Sequence, residues 1–130
     1  MYTYGGNTSV IIDDTDVTAA LTVTASSLSA ANSIDVRSSG GAVNDSFTGG
    51  AGDDLFTFDT VTSGAALDGS DTVAGGKGSD TLQITTLTIA ANIAITTTVT
   101  SVENFVFKGV GTTTSAYTLA DASVVTSALQ

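Results

Sequence analysis

Cysteine, histidine, proline and tryptophan are all missing from this 130-residue chain, which has only three basic residues and one glutamate, Glu103. Without histidine or cysteine there is no Ser-His-Asp arrangement, no Cys/His pair and no histidine-based metalloprotease motif. Paired aspartates are the one formal catalytic route left, and an enzyme is not expected. The lack of cysteine removes any disulfide framework and is compatible with the outside of a cell. Lys and Arg total 3 against 13 Asp and Glu, a formal charge of -10. Such a surface repels nucleic-acid phosphates and anionic membranes, so neither is an expected partner, whereas multivalent cations are. No apolar run reaches the roughly eighteen residues of a bilayer-spanning helix, so no transmembrane segment is expected. Residues 1–6, MYTYGG, lack the basic and apolar regions of a cleaved leader. Export would use another route, or a leader missing from this sequence.

Threonine is the commonest residue, Gly, Ala and Ser are abundant, and seven of the twelve aspartates lie between Asp45 and Asp80. The same stretch holds a repeat. Residues 49–57, GGAGDDLFT, and 75–83, GGKGSDTLQ, fit G-G-x-G-x-D-x-U-x at every fixed position, U being a large apolar residue. Nine residues before each stands a weaker copy in the same frame. Residues 40–48, GGAVNDSFT, keep the glycine pair, Asp45 and Phe47 but have Val43 for the third glycine. Residues 66–74, ALDGSDTVA, keep Gly69, Asp71 and Val73 and lose the glycine pair.

The rest of the chain reads as β structure. Ser9-Val10-Ile11-Ile12 is a short apolar run, and residues 18–24 and 33–37 alternate apolar with small or polar. Residues 25–32 read as a helical turn, with a loop an equal alternative given their Ser and Asn content. Asp13-Asp14-Thr15-Asp16 reads first as a solvated turn and second as a cation ligand cluster. After the repeats, short alternating runs follow at 82–84, 87–89, 93–95, 99–100 and 105–107. Such closely spaced short strands suit a solenoid better than a sandwich. Thr112 to Ser115 reads as a loop, 116–119 as a strand, and Asp121 as the cap of a short helix over 122–129, which would cover the last rung. The expected fold is therefore all-β, one right-handed parallel β-roll or β-solenoid over 1–130. It comprises an N-terminal β segment (1–39), the repeats (40–83) and C-terminal rungs with a cap (84–130).

In each nonapeptide, six residues turn and three form a strand. Glycines at the first, second and fourth positions allow positive φ and let carbonyl oxygens converge, and the aspartate adds a carboxylate. Carbonyl and carboxylate oxygens together make a hard-ligand set of the kind Ca2+ takes. This pattern resembles the RTX (repeats-in-toxin) β-roll family of proteins exported by type I secretion. The resemblance covers about a third of the chain. It implies that one nonapeptide builds half a coil, and that calcium lies between a turn and the turn two repeats later. The turns at Gly49 and Gly75 should then stack on one edge, and the weaker turns at Gly40 and Ala66 on the other. The implied strong site uses Gly49, Gly50, Gly52, Asp54, Gly75, Gly76, Gly78 and Asp80, with Asp53 joining. The opposite edge offers Asp45, Asp71 and Gly69, assisted by Asn44 or Asp68, and is expected to be weak or empty because Val43 and Leu67 replace glycines. Residues 58–65, an insertion in the register, are expected to bulge as a loop.

A secreted structural protein that assembles with copies of itself at a cell surface, as a surface layer or filament, is the leading functional expectation. The residues around Glu103, VTSVENFVF at 99–107, are similar to a segment of RTX-type surface-layer proteins, although Glu103 reads more simply as a residue leading into a strand. A calcium-triggered export and folding module of a larger secreted enzyme or adhesin is the alternative, and a chain ending near Gln130 would favour the subunit. Ice binding through T-x-T triplets at 22–24, 86–88 and 98–100 is a minor alternative, weakened by their uneven spacing. Any polysaccharide partner is left unassigned.

Overall fold

A computed structural model describes residues 8–14, 19–38, 43–60, 67, 69–86, 92–95, 98–109 and 116–119. Its strands are β1 (Thr8–Asp14), β2 (Thr22–Thr24), β3 (Asn32–Ser38), β4 (Ser46–Thr48), β5 (Leu55–Thr60), β6 (Thr72–Ala74), β7 (Thr81–Thr86), β8 (Asn92–Ile95), β9 (Val99–Thr100), β10 (Asn104–Gly109) and β11 (Ala116–Leu119). No helix occurs among the described residues. Up to β7 the strands alternate between two sheets, and β9 and β10 extend them, giving a five-stranded sheet β1-β3-β5-β7-β10 and a four-stranded sheet β2-β4-β6-β9. Every pairing is parallel. A chain that alternates between two parallel sheets is a β-solenoid, and parallel crossovers take the right hand. β8 and β11 form a separate parallel pair.

The large apolar residue of each nonapeptide, at its eighth position, carries the core. Phe47, Phe56, Val73 and Leu82 are all fully buried. Parallel pairing in register turns them into columns: Val23, Phe47, Val73 and Val99 on the short sheet, and Val36, Phe56, Leu82 and Phe105 on the long one. The columns meet where the Phe47 ring stacks on Phe56 at 6.3 Å and tilts against Phe58 at 5.5 Å.

The N-terminal β segment joins the coil directly, because β1 and β2 pair with β3 and β4 and build the first coil. Other expectations change. Residues 25–32 contain no helix; two backbone turns, Leu28 N to Ala25 O (2.9 Å) and Asn32 N to Ser29 O (2.9 Å), carry the chain round. The expected loop over 58–65 starts later, since Phe58 to Thr60 extend β5 and Phe58 is buried. A phenylalanine with an apolar slot beneath it continues the strand rather than leaving it. Residues 61–66, the run at 87–89, the loop at 112–115 and the helix at 122–129 lie outside the described residues. Of the acidic cluster, Asp13 and Asp14 end β1 and Asp14 is buried rather than solvated, while Thr15 and Asp16 lie outside.

Candidate metal centre

The turns between short and long strands stack into a column along one edge of the coil. Gly49 N donates to Ala74 O (2.8 Å), Lys77 N to Gly50 O (3.0 Å) and Thr81 N to Asp54 O (2.8 Å), which joins turn 49–54 to turn 75–80. Below, Ala51 N donates to Leu28 O (3.1 Å), and beyond, Gly75 N donates to Thr100 O (3.0 Å). The chain therefore brings Gly49, Gly50, Gly52, Asp53 and Asp54 against Gly75, Gly76, Gly78 and Asp80, as expected.

Glycine is needed there for two different reasons. Gly76 (φ +109°) and Gly78 (φ +113°) occupy a conformation that side chains resist. Gly49 does not have positive φ, contrary to expectation; it is required by close approach. A Cβ on Gly49 would collide with the Gly75 carbonyl oxygen and with Asp54 Oδ2, and one on Gly75 would collide with the Ser101 carbonyl oxygen and Asp80 Oδ2. Each of these two glycines thus marks a place where a carbonyl and a carboxylate oxygen converge.

The aspartates form a ladder. Asp54 Oδ1 accepts from Ile34 N (2.8 Å) and its Oδ2 from Gly50 N (2.7 Å). Asp80 Oδ1 accepts from Asp54 N (2.8 Å), and Glu103 Oε2 accepts from Asp80 N (2.8 Å). Each carboxylate thus satisfies the backbone of the coil before it. Asp53, exposed, accepts at Oδ1 from Ser79 N (2.8 Å). Asp80 Oδ2, by contrast, is buried with no hydrogen-bond partner. Burial, together with the charges of Asp54, Glu103 and Asp53, pushes the Asp80 carboxyl up to about 6 despite the stabilising bond from the Asp54 backbone.

A second ladder runs along the opposite edge. Asp71 Oδ1 accepts from Asp45 N (2.9 Å), and Asp45 accepts from Leu21 N (2.9 Å) and from Ser38 Oγ (2.6 Å). Asp14 pairs in register with Ser38, and burial, then the charges of Asp45 and Asp13, raise its pKa. Asn44 is exposed, and Gly69 has nothing near the place of a Cβ. Asp68 lies outside the described residues.

Sequence reading missed Glu103, which takes up in the fourth turn of the first edge the role that Asp80 has in the third. The signal was available: Val99 continues the column of Val73, so the turn after β9 must sit on the turn after β6.

No group of three or more acidic side chains converges among the described residues, so any metal here is held by carboxylates and carbonyls in combination. The residues fit that requirement: paired oxygens crowd Gly49 and Gly75, and one buried carboxylate oxygen lacks a donor. This is a hard-oxygen environment suited to Ca2+. No curated protein and no solved structure matches the chain. Residues 38–64 and 66–83 match the family model of the RTX calcium-binding nonapeptide repeat, in four copies. These repeats bind Ca2+, and the stretch that carries them forms the middle of a parallel β-solenoid.

Proposed function

We propose that the chain is a secreted, non-catalytic structural protein that assembles with copies of itself at an extracellular surface, with calcium as the ion that makes its coil competent to do so. The principal calcium lies between turns 49–54 and 75–80, with Asp54, Asp80 and Asp53 and the backbone oxygens of the glycine turns as ligands; Asp45 and Asp71 hold the opposite edge. When bound, calcium neutralises the stacked carboxylates. The chain's own residues orient those oxygens, keep Asp54 and Asp80 from water and tie one turn to the next.

The observation that carries self-assembly is the first coil. β1 stands at the end of the five-stranded sheet and exposes Val10 (47%) and Ile11 (67%). An edge strand with apolar side chains is a template for adding another strand, and a parallel coil offers copies of itself a continuing register. The sequence contains neither His nor Cys, and its central carboxylates are engaged in turn ladders, which favours a structural role over catalysis.

Purified protein imaged by electron microscopy in millimolar calcium and again in chelator, with circular dichroism followed in parallel, tests this reading. Ordered sheets or fibres in calcium alone are expected. A chain that folds on calcium and stays monomeric at high concentration would contradict assembly and favour the export and folding module.

A further inference from the structure

The first-edge column does not stop where the repeats stop. β9 continues the short sheet past residue 83, and the turn that follows it, Ser101-Val102-Glu103, sits on turn 75–80 as that turn sits on 49–54. The two steps have the same construction. Asp54 Oδ2 and the Gly75 carbonyl oxygen both border the place of a Cβ on Gly49; Asp80 Oδ2 and the Ser101 carbonyl oxygen both border the place of a Cβ on Gly75. Besides the shorter turn at 101–103, they differ in one hydrogen bond. Asp54 Oδ2 has a backbone donor, Gly50 N, whereas Asp80 Oδ2, on a residue with no solvent exposure, has none.

A buried carboxylate oxygen left unpaired costs free energy. The chain nevertheless holds the arrangement at a further cost: Ser101 has φ +53°, a left-handed conformation unusual for a residue with a Cβ. Glu103 is half-buried with one oxygen on Asp80 N, so its carboxylate stands beside the same space. Ser101 and the residues 76–79 are exposed, which leaves an ion a way in from solvent.

We propose that a further cation site lies between turn 75–80 and the turn 101–103, outside the repeats, with Asp80 Oδ2, the Ser101 carbonyl oxygen and the Glu103 carboxylate as ligands for a hard divalent cation of the Ca2+ type. No nitrogen or sulfur ligand is among them, which disfavours zinc and copper. The repeats supply one half of this site and an ordinary turn supplies the other, so the ion column ends one step later than the repeat pattern does. Val102, fully buried, then fills the turn with an apolar side chain and closes the column.

The proposal rests on calcium binding between the coils, and the test separates the two. Bound calcium is counted by native mass spectrometry on the wild-type chain and on Glu103→Gln, whose amide oxygen still accepts from Asp80 N. In parallel, amide shifts are followed by NMR during calcium titration of the wild type. Expected are one ion fewer in E103Q, with turn 49–54 still responding to calcium, and wild-type shifts at residues 101–104 as well as within the repeats. An unchanged ion count in a folded E103Q, or wild-type amides at 101–104 that stay still while those at 49–54 move, overturns the proposal and leaves the repeat sites standing. If E103Q does not fold, the wild-type titration decides alone. A wild-type chain that binds no calcium overturns both.

Discussion

The two edges of the coil carry the same ladder of aspartates, but among the described residues close approach at glycine is found on the first. On the first edge the turns approach so closely that a methyl group on Gly49 or Gly75 would strike a carbonyl and a carboxylate oxygen. On the second, Gly69 is open on the side where a Cβ would project, and Asp45 meets an amide at one oxygen and the Ser38 hydroxyl at the other. The comparison separates two functions that the nonapeptide combines. Its aspartate satisfies backbone N–H groups of the neighbouring coil whether or not metal is present. Its glycines let neighbouring turns approach closely, which under the proposed function gathers carbonyl oxygens around an ion. An edge can lose the second function and keep the first, and the coil continues either way.

The largest effect is expected where the edges share a core. Phe47→Ala empties the centre of the aromatic cluster and should cost about 3–5 kcal/mol, read as a lowered unfolding midpoint with and without calcium. A loss confined to calcium-loaded protein would mean that the core is not common to both edges. Next comes Gly75→Ala, which places a methyl group against backbone and should cost about 1–3 kcal/mol by overpacking. Gly69→Ala, with open space at that point, should stay within about 0.5 kcal/mol. Equal costs in chemical denaturation would erase the difference between the edges.

Asp80 gives a pH signature for the first edge. Its pKa, near 3.8 unfolded, rises to about 6 in the folded chain. The calcium-free folded state therefore holds this proton more tightly than the unfolded state does. The contribution of this group is most favourable below about pH 4 and is lost as pH rises to 6. Asp80→Asn keeps the acceptor for Asp54 N and should flatten that decline in calcium-free protein, raising its stability at pH 7 while weakening calcium binding. A variant whose calcium-free pH profile is unchanged would remove Asp80 as the strained group.

Much of this molecule is legible in its residues. The eighth position of each nonapeptide identifies the core, because a period that repeats along a parallel coil must stack like on like. The strands at 99–100 and 116–119 emerge with their bounds intact, since β-branched and aromatic residues alternate there between polar breaks. Asp54 over Asp80 and Asp45 over Asp71 follow from the frame once the resemblance to the RTX repeat supplies half a coil per nonapeptide. Less legible were the parts that pair with the repeats without resembling them. Nothing local in residues 8–38 announces a first coil; only register with Phe47 and Phe56 makes Val23 and Val36 core residues. Glu103 stands in an aspartate's place after a turn of three residues where the repeats have six, a change of length that the nine-residue frame does not announce. Phe58 was assigned to a loop because it breaks the nine-residue count, yet an aromatic ring is governed by the apolar space beside Phe47 and not by the count.

The central claim is that the glycine-built edge, and not its counterpart, couples calcium to stability. It is tested most directly by the calcium-induced shift in unfolding free energy, measured for wild type, Asp54→Asn/Asp80→Asn and Asp45→Asn/Asp71→Asn. With dissociation constants on the order of 0.1–1 mM, typical of extracellular modules, millimolar calcium adds about 0.4–1.4 kcal/mol per ion. Most of that shift should disappear in the Asp54/Asp80 pair and survive in the Asp45/Asp71 pair. The reverse order, or equal losses in both, would contradict the account.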